Sequence, residues 1–174
     1  MDRAVRQCAA VFLMTVGVAV VLRCAYQAAP GVLLGLFAPQ NSSVWELSKI
    51  GLWPCLAAAL LGCAPRRGRQ SLCAYLMVAA ALPVALLFVY WFFHLVCGIC
   101  SGLLDAAVWV CLLAVGDMVA LALGKTGRMD RCAVMAWALV GIWAFVYTVF
   151  SLYPAELPLF AQCAPRAAMA VIGW

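Results

Sequence analysis

Charge is what this sequence has least of. Eleven Lys and Arg and six Asp and Glu make up 10% of 174 residues, against about a quarter in soluble domains. With 69% hydrophobic residues and a mean hydropathy of +1.10, the shortage excludes an ordinary soluble domain and implies an integral membrane protein. Histidine is scarcer still. His94 is the single one, which excludes most histidine-based metal sites. Neither a Ser-His-Asp order, an HExxH pattern nor a Rossmann glycine pattern occurs. "GKTG" at 124–127 lacks the upstream glycine of a phosphate loop, and no strand precedes it. The sequence therefore implies no cofactor, no metal and no catalytic constellation. Repeats, low-complexity tracts and linkers are also missing, so residues 1–174 read as a single transmembrane domain.

What is present is long apolar runs. Five stretches, 8–28, 44–64, 72–93, 103–124 and 133–153, are long enough to cross a bilayer. About 20 residues at 1.5 Å rise cover a hydrocarbon core of roughly 30 Å. Strands of a barrel would alternate over about 10 residues, so the fold class is all-α, a membrane helical bundle of about five spans. The basic residues orient it. Arg3, Arg6, Arg66, Arg67, Arg69, Lys125, Arg128 and Arg131 fall on one side, and only Arg23, Lys49 and Arg166 on the other. Eight against three places the N-terminus inside and the C-terminus outside. The net charge of +5 is then an orientation signal, and nucleic acid is not an expected partner. The bilayer is.

The first 29 residues also have the basic and apolar regions of a signal peptide. Tyr26 and Gln27 stand where a cleavage site needs small residues, and Arg23 before Cys24 spoils a lipoprotein box. An uncleaved anchor is expected; cleavage would leave four spans. "PGVLLGLF", 30–37, is too short to span, and lies in the outer interface or dips back into the protein. The tail after Tyr153, with three prolines, is expected to pack on the outer surface. Tyr26, Trp45, Trp53, Tyr90, Trp91 and Tyr153 fall near the outer boundary as anchors, while Trp109, Trp137 and Trp143 read as deeper packing residues.

One segment interrupts the apolar chain: "FAPQNSSVWELSKIGLWP", 37–54. Ser43-Val44-Trp45-Glu46 reads as a capping box opening the second span, Ser43 accepting from an N-terminal amide and Glu46 reaching back to the cap. Lys49 pairs with Glu46 at i,i+3 or snorkels outward. A second reading stands beside this one. Asn41, Glu46, Lys49, His94 and Asp105, with Arg23 and Glu156 at the same level, form a polar vestibule near the outer leaflet that binds a small solute or ion. Ionisable groups at membrane depth favour a bundle interior or a wet cavity. Alternatively each charge simply marks a helix end. Asp117 lies about 12 Å inside the fourth span, a buried acid needing a partner, a cavity or a proton, and Gly116 beside it permits close helix approach.

Cysteine is plentiful, with ten residues. "HLVCGIC" places His94, Cys97 and Cys100 in an outer loop, and C-x-x-C there suggests thiol–disulfide exchange. Cys24 and Cys163 on the same side complete two pairs of the kind membrane disulfide oxidases use. Chance alone yields about 0.6 pairs at this spacing, so it decides little. Cys55, Cys63, Cys73 and Cys111 behave as small apolar residues.

"FAPQNSSVWELSK" resembles a motif, F-x-P-x-N-x-S-V-W-E-H-x-K, of a family of small uncharacterised bacterial multi-pass membrane proteins. Phe37, Pro39, Asn41, Ser43, Val44, Trp45, Glu46 and Lys49 match. The 90–105 region and "YPAELPLF" are similar to later blocks of that family. Leu47 stands where the family has histidine, and "FAQCAP" lacks an aspartate expected near Cys163. The resemblance implies class and topology and carries no activity; the expected location is the cell membrane, a bacterial inner membrane. The leading expectation is small-solute or ion binding or transport, as a homo-oligomer because five helices enclose little volume. A membrane thiol oxidoreductase using Cys97 and Cys100 is the first alternative. A non-catalytic factor binding a lipid or a partner protein is the second.

Overall fold

A computed structural model describes residues 3–63, 69–125 and 132–161. Its elements are α1 (Arg3–Ala28), a short α2 (Val32–Phe37), α3 (Val44–Cys63), α4 (Arg69–Trp91) running into a π-helical turn (Phe92–Val96), α5 (Gly102–Lys125), α6 (Ala133–Leu152) and a 3-10 turn (Pro158–Phe160). Five helices are long and apolar enough to cross a membrane: Cys8–Ala28, Val44–Leu61, Leu72–Val96, Gly102–Gly124 and Ala133–Leu152. They coincide with the five expected stretches to within a few residues. The third span is longer than expected because the π turn continues it.

Two helices form the centre. In α3 and α4, 61% and 56% of the spanning residues are buried, against 11% in α1, 22% in α5 and 17% in α6. α4 packs on α3, α5 and α6, and α1 on α3 and α5. Small residues let α3 and α5 approach α4. A Cβ at Gly51 would lie 2.7 Å from a Leu86 methyl, and one at Gly116 would lie 2.8 Å from a Val78 methyl, as expected for Gly116. The outer helices turn large apolar side chains outward, Leu13 67% and Phe145 70% exposed. Such faces suit hydrocarbon and not water.

Both central helices carry a proline in their interior, Pro54 in α3 and Pro83 in α4. A proline lacks the N–H that would bond the carbonyl four residues back, and its ring displaces that carbonyl. In a membrane a freed carbonyl must find another donor. Trp109 Nε1 donates to Ile50 O, the carbonyl four residues before Pro54, at 3.2 Å. Trp143 Nε1 donates at 2.9 Å to Ala80 O, three residues before Pro83. The two tryptophans expected only to pack are thus also backbone donors.

Other expectations need correction. Trp45 and Tyr90 are buried, not boundary anchors. Trp45 packs on Tyr147, Phe150 and Phe160 at 5.1–5.3 Å between ring centres, and Tyr90 donates to Asp105 O at 2.9 Å. The tail to Ala161 does pack back, through Phe160 on Trp45. Cys163 and the basic turns at 64–68 and 126–131 lie outside the described residues.

Candidate functional site

The segment that interrupts the apolar chain folds as a knot on the N-terminus of α3. Ser43 Oγ accepts from Glu46 N at 3.2 Å, the first half of the expected capping box. The second half differs. Ser43 N is already taken by Asn41 Oδ1 at 2.9 Å, an Asx turn, so the Glu46 carboxylate reaches past the cap and accepts from Gln40 N at 2.9 Å. The same oxygen, Oε2, accepts from Lys49 Nζ at 2.7 Å. Lys49 does not snorkel: it is fully buried and donates also to Gly35 O in α2, at 2.8 Å. Gly35 O accepts a second bond from Gln40 Nε2 at 3.2 Å. One buried ion pair therefore fastens α2 and residues 38–43 to the start of α3. Glu46 in the first turn of α3 also meets the positive end of that helix.

On the α6 side, Ser48 Oγ donates to Trp45 O at 2.7 Å, leaving Tyr147 OH to donate to Ser48 Oγ at 2.8 Å. This holds the knot to the bundle.

The knot's outer edge walls a cavity of about 410 Å³, within the size range of small-molecule sites. Its polar lining is Arg23 at the end of α1, Asn41 and Ser42 in the loop, His94 in the π turn, and Ser101 and Asp105 at the start of α5; Leu47, Ile50 and Trp109 supply an apolar side. The π turn matters here, because its extra residue per turn sets His94 over Asp105. His94 Nε2 meets Asp105 Oδ1 at 2.7 Å. An ionised carboxylate only accepts, so Nε2 carries the proton of this bond. The imidazole stacks on Tyr90, 5.8 Å between ring centres. His94 Nδ1 is buried without a hydrogen-bond partner among the described residues. Arg23 donates to Pro39 O at 3.0 Å.

The five residues read as one vestibule are thus divided. Asn41, His94 and Asp105 line the cavity. Glu46 and Lys49 spend their charges on each other and on loop backbone, and act on the cavity only by placing Asn41 and Pro39. Arg23, named only as a companion at the same level, sits on the wall; Glu156 is exposed and not on it. The interior prolines and the loop backbone donors were the missed signals.

With the fold and the cavity in view, the affiliation is plain. The chain belongs to a family of unknown function, DUF6512, whose sequence profile matches residues 7–166. No curated protein and no solved structure matches it.

The other two candidate groups lie elsewhere. Asp117 is 4% exposed, its Oδ2 has no hydrogen-bond partner among the described residues, and Cys8 Sγ on α1 donates to its backbone carbonyl at 3.6 Å. It does not line the cavity. Cys97 carries a free thiol, whereas Cys100 is disulfide-bonded. The two are therefore not joined, and the C-x-x-C disulfide expected by the redox reading is not formed. The π turn continues α4 as far as Val96, so Cys97 sits at its end while Cys100 lies on the cavity wall. Cys55 and Cys73 are buried as expected, while Cys111 is exposed on an outer helix. Among the described residues no group of three metal-ligating side chains gathers.

Proposed function

We propose that this protein binds a small polar solute or ion in the Arg23–Asn41–His94–Asp105 cavity, as a step in moving it across a bacterial inner membrane. The observation that carries this is the cavity itself. It brings together side chains from α1, the 38–43 loop, the π turn and α5, and a buried ion pair holds its loop wall in shape. Groups that merely mark helix ends need no such shared space. Leu47, where the resembled motif carries histidine, lines the same cavity, so relatives that keep histidine there would bind with an added polar group.

The cavity lies at the end where α1, α4 and α6 finish and α3 and α5 begin. The distribution of basic residues makes this the outer end. A disulfide at Cys100 suits an oxidising outer compartment. A homo-oligomer would supply the enclosed path that five helices alone give little room for. The thiol oxidoreductase reading loses its expected Cys97–Cys100 pair.

The test is thermal unfolding of the purified protein against a panel of small amino acids, hydroxy acids, sugars and alkali cations. At least one should raise the unfolding temperature of the parent and not that of Asp105→Leu, at equal abundance of folded protein. A panel that shifts nothing overturns the reading.

A further inference from the structure

Among the described residues, each acid beside the cavity or in its loop wall has a side-chain partner and Arg23 has none, and this difference indicates what the ligand carries. Glu46 is bonded to Lys49, and Asp105 to His94. Arg23 is bonded to no acid among the described residues; its one hydrogen bond goes to Pro39 O. A guanidinium has five N–H donors in a planar fork, so most of Arg23 is left to face a partner. Asn41 adds to this. Its carbonyl oxygen is occupied by Ser43 N, and what it has left to offer is the Nδ2 amide donor. At the cavity edge, Ser101 and Gly102 begin α5, a helix of 24 residues, whose first amides have no intrahelical acceptor and favour an anion.

The acceptor side is smaller. His94 takes Asp105 Oδ1, leaving Oδ2 to accept from a ligand hydroxyl or amine. Trp109, Leu47 and Ile50 cover a short carbon skeleton.

We infer that the cavity binds a small organic anion: a phosphate or carboxylate held by Arg23, Asn41 and the α5 N-terminus, with a hydroxyl or amine donating to Asp105. This rests on the reading of the cavity as a binding site and names its ligand class. The fork geometry of arginine matches phosphate and carboxylate in two parallel bonds. The same chemistry is met by a soluble glycerophosphate or by the headgroup of an anionic lipid.

The experiment uses the full chain in an uncharged detergent, titrated calorimetrically with glycerol 3-phosphate, glycerol and choline. Glycerol 3-phosphate should bind, glycerol at least about tenfold more weakly, and choline not at all. Arg23→Gln should weaken glycerol 3-phosphate binding by about 10- to 100-fold, the loss of a charge-assisted bond pair. Arg23→Lys should keep part of the affinity. Arg23 is exposed, so its replacement leaves the fold in place.

Nanodiscs of phosphatidylglycerol or phosphatidylcholine, followed by native mass spectrometry of retained lipid, identify the source. Phosphatidylglycerol retained by the parent, lost in Arg23→Gln and not displaced by free glycerol 3-phosphate makes it the lipid headgroup; displacement makes it the soluble anion. Binding of choline or glycerol as tight as that of glycerol 3-phosphate overturns the anion assignment and leaves the cavity a binding site. Unchanged affinity and lipid retention in Arg23→Gln overturn it too. Silence of all three probes and both lipids overturns the anion assignment, and the binding reading is then decided by the solute panel alone.

Discussion

Trp109 donates its indole N–H to the carbonyl of Ile50 at 3.2 Å, from α5 to α3. That carbonyl is the one Pro54 leaves without a helical donor, and both Trp109 and Ile50 stand in the wall of the cavity. In a membrane helix, a donor from a neighbouring helix can satisfy the group that an interior proline frees. The bond thus joins the packing of two spans to the shape of the candidate site.

Removing that donor has a cost that depends on the proline. Trp109→Phe should destabilise the protein by about 1–2 kcal/mol in detergent unfolding, the cost of a polar group left unpaired in the membrane. In a Pro54→Ala background the backbone N–H gained at that position can bond Ile50 O, and Trp109→Phe should cost less. A double-mutant cycle measures the difference. Equal costs in both backgrounds would mean that Trp109 acts by volume alone.

The Glu46–Lys49 pair is fully engaged and nearly water-free. Glu46→Gln or Lys49→Met alone should lose about 3–5 kcal/mol, because each leaves an uncompensated charge behind. The double variant Glu46→Leu with Lys49→Met should recover part of that loss. It should not restore the loop, since Gln40 N loses its acceptor and Gly35 O keeps only the bond from Gln40 Nε2. Protease cleavage within 38–43, measured by mass spectrometry, should therefore rise in the double variant even as global stability recovers.

Cys97 and Cys100 are distinguished by alkylation. In denatured protein handled without reductant, maleimide should label Cys97 and spare Cys100, and reduction should expose Cys100. Peptide mass spectrometry reading both as protected before reduction would restore the C-x-x-C pair and the redox reading with it.

Orientation is checked by single cysteines introduced at Arg67 and at Glu156. A membrane-impermeant maleimide applied to intact cells should label the second and not the first. Labelling of both from one side would overturn the map drawn from the basic residues.

How much of this was legible in advance follows from the range of the forces involved. The five spans depend on runs of about 20 apolar residues, a property of consecutive positions, and the described helices fall on them. The capping box at Ser43 and the Glu46–Lys49 pair are contacts three residues apart in sequence; the pair forms, and half of the box does, with Ser43 bonding Glu46 N as its spacing requires. The other half failed because Glu46 found a better donor, Gln40 N, on a loop whose path depends on α2. Trp109 and Trp143 gave no sign of their role, since their acceptors lie 59 and 63 positions away along the chain.

Sequence by itself determined that this chain lives in a bilayer and where it crosses, because transfer of apolar residues into hydrocarbon is additive along a helix. It also determined which few side chains are charged there. Only tertiary structure decided which charges neutralise one another and which remain open. Glu46 and Lys49 close on each other and on α2, His94 and Asp105 meet through a π turn, and Arg23 is left facing a cavity. Those outcomes depend on distances between helices, fixed by buried glycines, prolines and tryptophans that no local pattern reads.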